Sequence, residues 1–177
     1  MTAERLPQRT IRRPAAPPGL RVRPYRSADL AAVVGLFQHT VRTVNALDYS
    51  PQQIAAWAPD APDPDAWAAR LAAGGVFVCE RAGTIAGFAR VEPDGTLDLL
   101  YVDAGAQRAG VGRHLFDRTV RWAAARGAGR ITAAVSVTAR PFFERAGFRV
   151  VRRQSVARRG VALENFVMEL ERPVRRS

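Results

Sequence analysis

The chain has 177 residues, 47% of them apolar, which suffices for one domain with a buried core. No apolar run approaches the roughly 18–20 residues of a membrane span, and the Arg- and Pro-rich start carries no signal-peptide block, so a cytoplasmic protein is expected. All 27 basic residues are Arg, and the net charge of +11 gathers at the ends, with seventeen Arg against fifteen acids left in 27–171, a pattern that argues against a nucleic-acid-binding core.

Residues 1–19, with Pro14, Pro17, Pro18 and Gly19, read as a flexible leader, because proline lacks the amide hydrogen that helices and ladders use. The domain is expected over 20–171, with a basic tail at 172–177. Leu20 to Tyr25 alternates apolar and polar residues like a half-buried strand. Ser27 is the expected N-cap of a first helix carrying Leu30, Val33, Val34 and Phe37. Ser50-Pro51-Gln52-Gln53 offers an N-cap, a first-turn proline and a capping-box Gln. Asp63-Pro64 opens another helix, through Trp67 and Leu71, that Gly74-Gly75 stops.

The period then changes to that of strands. Val76 to Arg81 and Thr84 to Val91 flank the turn Ala82-Gly83, and Pro93-Asp94-Gly95 leads into Thr96 to Val102. A long helix from about Val111 to Gly127 places Leu115, Phe116, Val120 and Ala123 inward. Ile131 to Val137 is a further strand and Pro141 to Ala146 a short helix; Phe148 to Val151 and Leu163 to Leu170 form a closing strand pair. This order predicts a mixed α/β domain with one strand–helix–strand unit inside an otherwise antiparallel meander.

The informative segment runs from Leu99-Leu100-Tyr101-Val102 through a loop to Gln107-Arg108-Ala109-Gly110-Val111-Gly112 and the long helix. Glycines let backbone amides close around an anion, and the helix start adds unsatisfied N–H groups and a positive dipole end. Arg108 and Arg113 add charge for a phosphate ester. A P-loop is excluded because the chain has no Lys, and a dinucleotide fingerprint fails because Leu115 stands at its third glycine.

The hexapeptide resembles the (Gln/Arg)-x-x-Gly-x-(Gly/Ala) signature of the GNAT superfamily of acyl-CoA N-acyltransferases. Ser136-Val137-Thr138-Ala139-Arg140-Pro141-Phe142-Phe143-Glu144-Arg145-Ala146-Gly147-Phe148 is similar to the second GNAT signature. The resemblance covers roughly 21–171, and the segment from His39 to Trp57-Ala58-Pro59 resembles a bacterial branch of unassigned substrate. It implies a largely antiparallel, six- to seven-stranded mixed sheet with helices on both faces, splayed between the strands at about 96–102 and 131–137. Acetyl-CoA would be the co-substrate, its pantetheine pairing with the backbone of Leu100, Tyr101 and Val102. Its pyrophosphate would sit on Gln107, Arg108, Ala109, Gly110, Val111, Gly112 and Arg113, with Ser136 standing where many members carry a hydrogen-bonding Asn. The implied reaction is direct attack of a primary amine, expected to belong to a small molecule. A protein N-acetyltransferase and a non-catalytic acyl-CoA-sensing module of the same fold are the alternatives, and a homodimer is left open.

The chain departs from the family where a Tyr often protonates the leaving thiolate, because that position is Phe143. The candidate general base is Asp98, the acid inside the third meander strand. Strand alternation places it on the face of Thr96, Leu100 and Val102, where burial should raise its pKa. His39 is next in line. Tyr101, Trp57 and Trp67 are expected to pack in the core, with Trp57 also a candidate lining of the acceptor pocket, and Arg158-Arg159-Gly160 to form a turn near it. One Cys and two isolated His supply no metal-ligand set, so no metal is expected.

Overall fold

The computed structural model describes residues 19–171; the expected tail at 172–177 and the leader through residue 18 lie outside the described residues. In chain order the elements are β1 (Leu20–Pro24), α1 (Leu30–Thr43), α2 (Pro51–Trp57), α3 (Pro64–Leu71), β2 (Gly75–Arg81), β3 (Thr84–Val91), β4 (Thr96–Val102), α4 (Val111–Ala124), β5 (Arg130–Ser136), α5 (Arg140–Arg145), β6 (Arg149–Arg158) and β7 (Val161–Glu171). The strands form one sheet in the order β1-β2-β3-β4-β5-β7-β6. Every neighbouring pair is antiparallel except β4 and β5. A parallel pair needs a crossover, and α4 supplies it.

Helices cover both faces. On one, α1, α2 and α3 pack Val33, Phe37, Val41, Ile54 and Leu71 against Val78, Phe88, Leu99 and Leu163. On the other, α4 and α5 pack Leu115, Phe116, Ala123 and Phe143 against Phe77, Ala89, Val91, Leu97, Ile131, Ala133, Val135 and Met168. Each fully buried ring or branched chain, such as Phe88, contributes about 1.5–3 kcal/mol by leaving water. Among the described residues no helix is long and apolar enough to cross a membrane.

Local chemistry places most helix starts as expected. Ser50 Oγ accepts from Gln53 N at 3.3 Å while Gln53 Oε1 accepts from Ser50 N at 2.9 Å, a complete capping box for α2. Asp63 accepts from the amides of Asp65 and Ala66 at the start of α3. Ser27 does not cap the first helix. A short 3-10 turn, Ser27–Asp29, precedes α1, and the Asp29 carboxylate takes the Arg26 N–H at 2.8 Å. Arg23 clamps that carboxylate at 2.7 and 2.9 Å and holds it ionised, and an ionised carboxylate is a stronger acceptor than the Ser27 hydroxyl. The β6 strand runs to Arg158, well past the expected Val151. As an edge strand exposed along most of its length, it lacks the apolar alternation that marks a half-buried one.

Two irregularities in β4 shape the sheet around it. Its pairing with β5 is limited to Thr96 opposite Thr132 and Leu97 opposite Ala133, after which the two strands part. Against β3, Leu99 faces Arg90 and Leu97 faces Val91, so Asp98 is the extra residue of a β-bulge.

Candidate functional site

Beyond Leu97, β4 continues along β3 to Val102, whereas β5 continues along β7 to Ser136. The backbone of 98–102 therefore has no strand partner on its β5 side, although the Val102 carbonyl accepts the Thr40 hydroxyl at 3.2 Å. Leu100, Tyr101 and Val102, the expected pantetheine-pairing positions, all lie on this open stretch.

The mouth of the split is set by the start of α4. Gly110 caps the helix with φ 88°, a left-handed conformation that costs an L side chain about 1–2 kcal/mol. The His114 N–H is the first to reach back, to Gly110 O at 3.0 Å, and its Nδ1–H donates to the same oxygen at 2.9 Å. The amides of Val111, Gly112 and Arg113 precede it and, by helix geometry, have no acceptor within the helix. A Cβ on Gly112 would lie 3.4 Å from Val102 Cγ2 and 3.5 Å from Phe142 Cε2, so β4, α4 and α5 converge there. Gln107 and Arg108 are exposed, and Ala109 and Gly110 half-buried, on the loop that enters the helix. Arg113 pairs with Asp117 one turn along the helix at 3.0 Å, and Arg108 is exposed on the loop before it. The positive end of α4 therefore lies beside an open strand edge, an arrangement that can receive an anion.

Asp98 does not stand as expected. The bulge turns it away from the face of Leu100 and Val102, which pack with α4, and onto the face of α3. There Arg70 grips both carboxylate oxygens at 2.9 and 2.6 Å, and Arg90 Nη1 adds a bond at 2.7 Å. Arg90 is itself tied to Ala73 O at 3.1 Å. Burial raises the Asp98 pKa as anticipated, but the two guanidiniums outweigh it and hold the carboxyl below its ordinary value. The expectation of a raised pKa is thus corrected.

The turn from β5 to α5 lies beyond the last β4–β5 pair, at the open end of the split on its β5 side. Ser136 Oγ accepts from Ala139 N at 3.1 Å and from Asn45 Nδ2 at 3.4 Å, which shapes the turn and leaves its own O–H uncommitted. The Tyr49 hydroxyl donates to Glu164 O at 2.6 Å and accepts from Val137 N at 3.0 Å, joining β7 to the same turn. Phe143 is buried among Phe142, Phe148 and Phe116 on the opposite side of the sheet. Sequence reading missed Asn45, Arg70 and Arg90, whose partners are 91, 28 and 8 residues away. No local pattern encodes the longer of these pairings.

Tyr101 packs against Phe37 and Phe88 at 5.0 and 5.5 Å between ring centroids, as alternation indicated. Burial pushes its phenol up to about 12, against the opposing pull of the Trp57 indole N–H and Arg70. Trp57 and Trp67 join the same core from α2 and α3. His39 is exposed on α1. Arg159 ties the β6–β7 turn to α2 through Ala56 O at 2.8 Å.

A sheet split beside a helix N-terminus, with an open strand edge for an extended amide chain, is the architecture of an acyl-CoA-dependent transferase. The chain belongs to the GNAT family of acetyltransferases: residues 45–170 match the family described as "Acetyltransferase (GNAT) domain". It is 34% identical over 150 residues to the uncharacterized N-acetyltransferase YafP of Escherichia coli, across 84% of this chain and 94% of that one. It superposes on the GCN5-related N-acetyltransferase from Rhodopseudomonas palustris with a TM-score of 0.83 at 32% identity, covering 86% and 96% of the two chains. The fold is shared with yncA of Salmonella typhimurium, solved with acetyl-CoA, at a TM-score of 0.66, 22% identity and coverage of 86% and 93%.

Proposed function

We infer that this acetyltransferase moves the acetyl group of acetyl-CoA to the primary amine of a small molecule, by direct attack of the amine on the thioester. The observation that carries this reading is the unpartnered stretch of β4 at 98–102 beside the free amides that open α4. The residues fit the co-substrate. Pantetheine amides would complete the edge of β4, and the pyrophosphate would rest on the amides from Arg108 to Arg113, close to the Arg108 guanidinium. Ser136, at the C-terminal end of β5, keeps an O–H free to donate.

A small acceptor is supported by how the α1–α3 side is fastened. Gln53 Nε2 bonds Ala162 O at 2.9 Å and Arg159 bonds Ala56 O, so α2 and the β6–β7 turn are joined into one roof. That closure suits a compact amine better than a folded protein surface.

In the reaction the amine nitrogen attacks the acetyl carbon, a C–N bond forms and the C–S bond breaks. The surplus proton on nitrogen passes to water, and the departing thiolate takes one from solvent, giving an amide and free CoA. Holding both reactants in line can supply about 7–11 kcal/mol of the barrier. Asp98, committed to two guanidiniums, serves as an ion-pair anchor for α3 and not as the base. Release of free thiol from acetyl-CoA, followed with a panel of small amines and with short peptides, tests the reading. Turnover with a small amine is expected; turnover with peptide amino-termini alone would overturn the acceptor class.

A further inference from the structure

The β6–β7 hairpin closes with a two-residue turn, Arg159-Gly160, between the paired residues Arg158 and Val161. Both turn residues have positive φ, 47° and 76°, the sign that suits the right-handed twist of the flanking strands. The hairpin end is pinned to α2 twice, by Arg159 Nη1 on Ala56 O at 2.8 Å and by Gln53 Nε2 on Ala162 O at 2.9 Å. Arg158, one residue before the turn, is thus fixed through its backbone and needs no side-chain bond to stay in place.

Alternation sets its direction. Val156 lies two residues before it on β6 and Val161 directly across from it on β7. Both pack into the α1–α3 cluster that also holds Trp57 and Tyr101, so Arg158 is on that face. Its guanidinium is close enough to the Tyr101 phenol to act on it electrostatically. Tyr101 belongs to the stretch of β4 that has parted from β5, so Arg158 overlooks the split from the α1–α3 side.

The charge it brings there is unmatched. Arg70, Arg149 and Arg153 are paired with Asp98, Glu169 and Glu164, and Arg159 is spent on a carbonyl. Arg158 is exposed, and among the described residues no hydrogen bond or ion pair holds its guanidinium. Tyr101 does not balance it, because burial pushes that phenol up to about 12 and keeps it neutral at working pH.

Resting on the transferase reading above, we propose that the acceptor is a primary amine that also carries a carboxylate, and that Arg158 holds the carboxylate while the amine faces the thioester. A guanidinium offers two parallel N–H donors that match the two carboxylate oxygens, which fixes the acceptor's orientation as well as its position. Arg158 touches no reacting atom; it selects which amine is presented.

Thiol release from acetyl-CoA tests this on amino acids set beside the same amines without the carboxylate. The pairs are glycine and methylamine, leucine and 3-methylbutylamine, phenylalanine and 2-phenylethylamine, and 4-aminobutanoate and propylamine. In at least one pair the carboxylate is expected to raise kcat/KM about ten-fold or more, the scale of one charge-assisted bond. Arg158→Gln should bring that ratio close to one, through KM for the acid and not through kcat, and Arg158→Lys should keep part of it. Arg158→Glu should reverse the ratio, an outcome that mere loss of folding does not produce. Acetyl-CoA affinity and melting temperature, measured on the same preparations, should hold in all three variants. Equal or faster turnover of every amine without its carboxylate, or a carboxylate preference that survives Arg158→Gln, overturns the proposal while the transferase reading stands. Absence of turnover by the unsubstituted protein with any amine of either set overturns the reading on which it rests.

Discussion

Three of the roughly four acceptor positions of the Asp98 carboxylate are filled by Arg70 and Arg90, so the group enters folding energetics before it enters chemistry. Replacing it with Asn leaves the buried Arg90 and the exposed Arg70 guanidiniums short of charge. Asp98→Asn is expected to cost about 1–3 kcal/mol of stability and to change turnover per folded molecule by only a few-fold. Denaturant unfolding and thiol release on one preparation measure both; a hundred-fold loss of turnover with stability intact would reinstate the carboxylate as base. The pH sign follows from the lowered folded pKa. The Asp98 contribution is complete above the unfolded value of about 4 and is lost as pH falls through the folded value, so the variant should show a flatter acid limb. The phenols behave oppositely. Burial raises Tyr25, Tyr49 and Tyr101, so phenolate absorbance should lag behind a free tyrosine near pH 10, and Tyr101 should ionise only near pH 12. Stability from these groups is complete below about 10 and declines above it.

Helix starts with side-chain caps were legible because their chemistry is local: Ser50, Pro51 and Gln53 lie within four residues, as do Asp63 and Pro64. The loop into α4 was legible for the same reason, since Gly110 and Gly112 announce both the left-handed turn and the close approach. The bulge in β4 was not. Period-2 alternation assumes one residue per pleat, and the extra residue at Asp98 depends on how β3 pairs, which no run of β4 residues records. The length of β6 was hidden because edge exposure removes the apolar pattern on both faces. Two element-level outcomes are expected. Gly112→Leu would fill the space against Val102 and Phe142 and should abolish thermal stabilisation by CoA while the protein still unfolds cooperatively. Tyr49→Phe unties β7 from the β5–α5 turn and leaves the Val137 amide without its acceptor, a loss of about 1–3 kcal/mol in denaturant unfolding.

At the scale of the molecule, the strand–helix–strand unit in an antiparallel meander was readable from element order, and it leads to the split, because a parallel β4–β5 pair has only two register pairs. The polar cluster at the C-terminal end of β5 was not readable: Asn45, Tyr49, Ser136 and Asn165 come from separate segments that meet only in the folded sheet. The central claim is that acetyl-CoA completes the open edge of β4 and the free amides of α4, and amide hydrogen exchange with and without acetyl-CoA tests it most directly. Exchange should slow at residues 98–102 and 107–114 and stay unchanged along the exposed edge strand β6, at 149–158. Unaltered exchange in the first two segments under saturating acetyl-CoA, or protection confined to other strands, would contradict it.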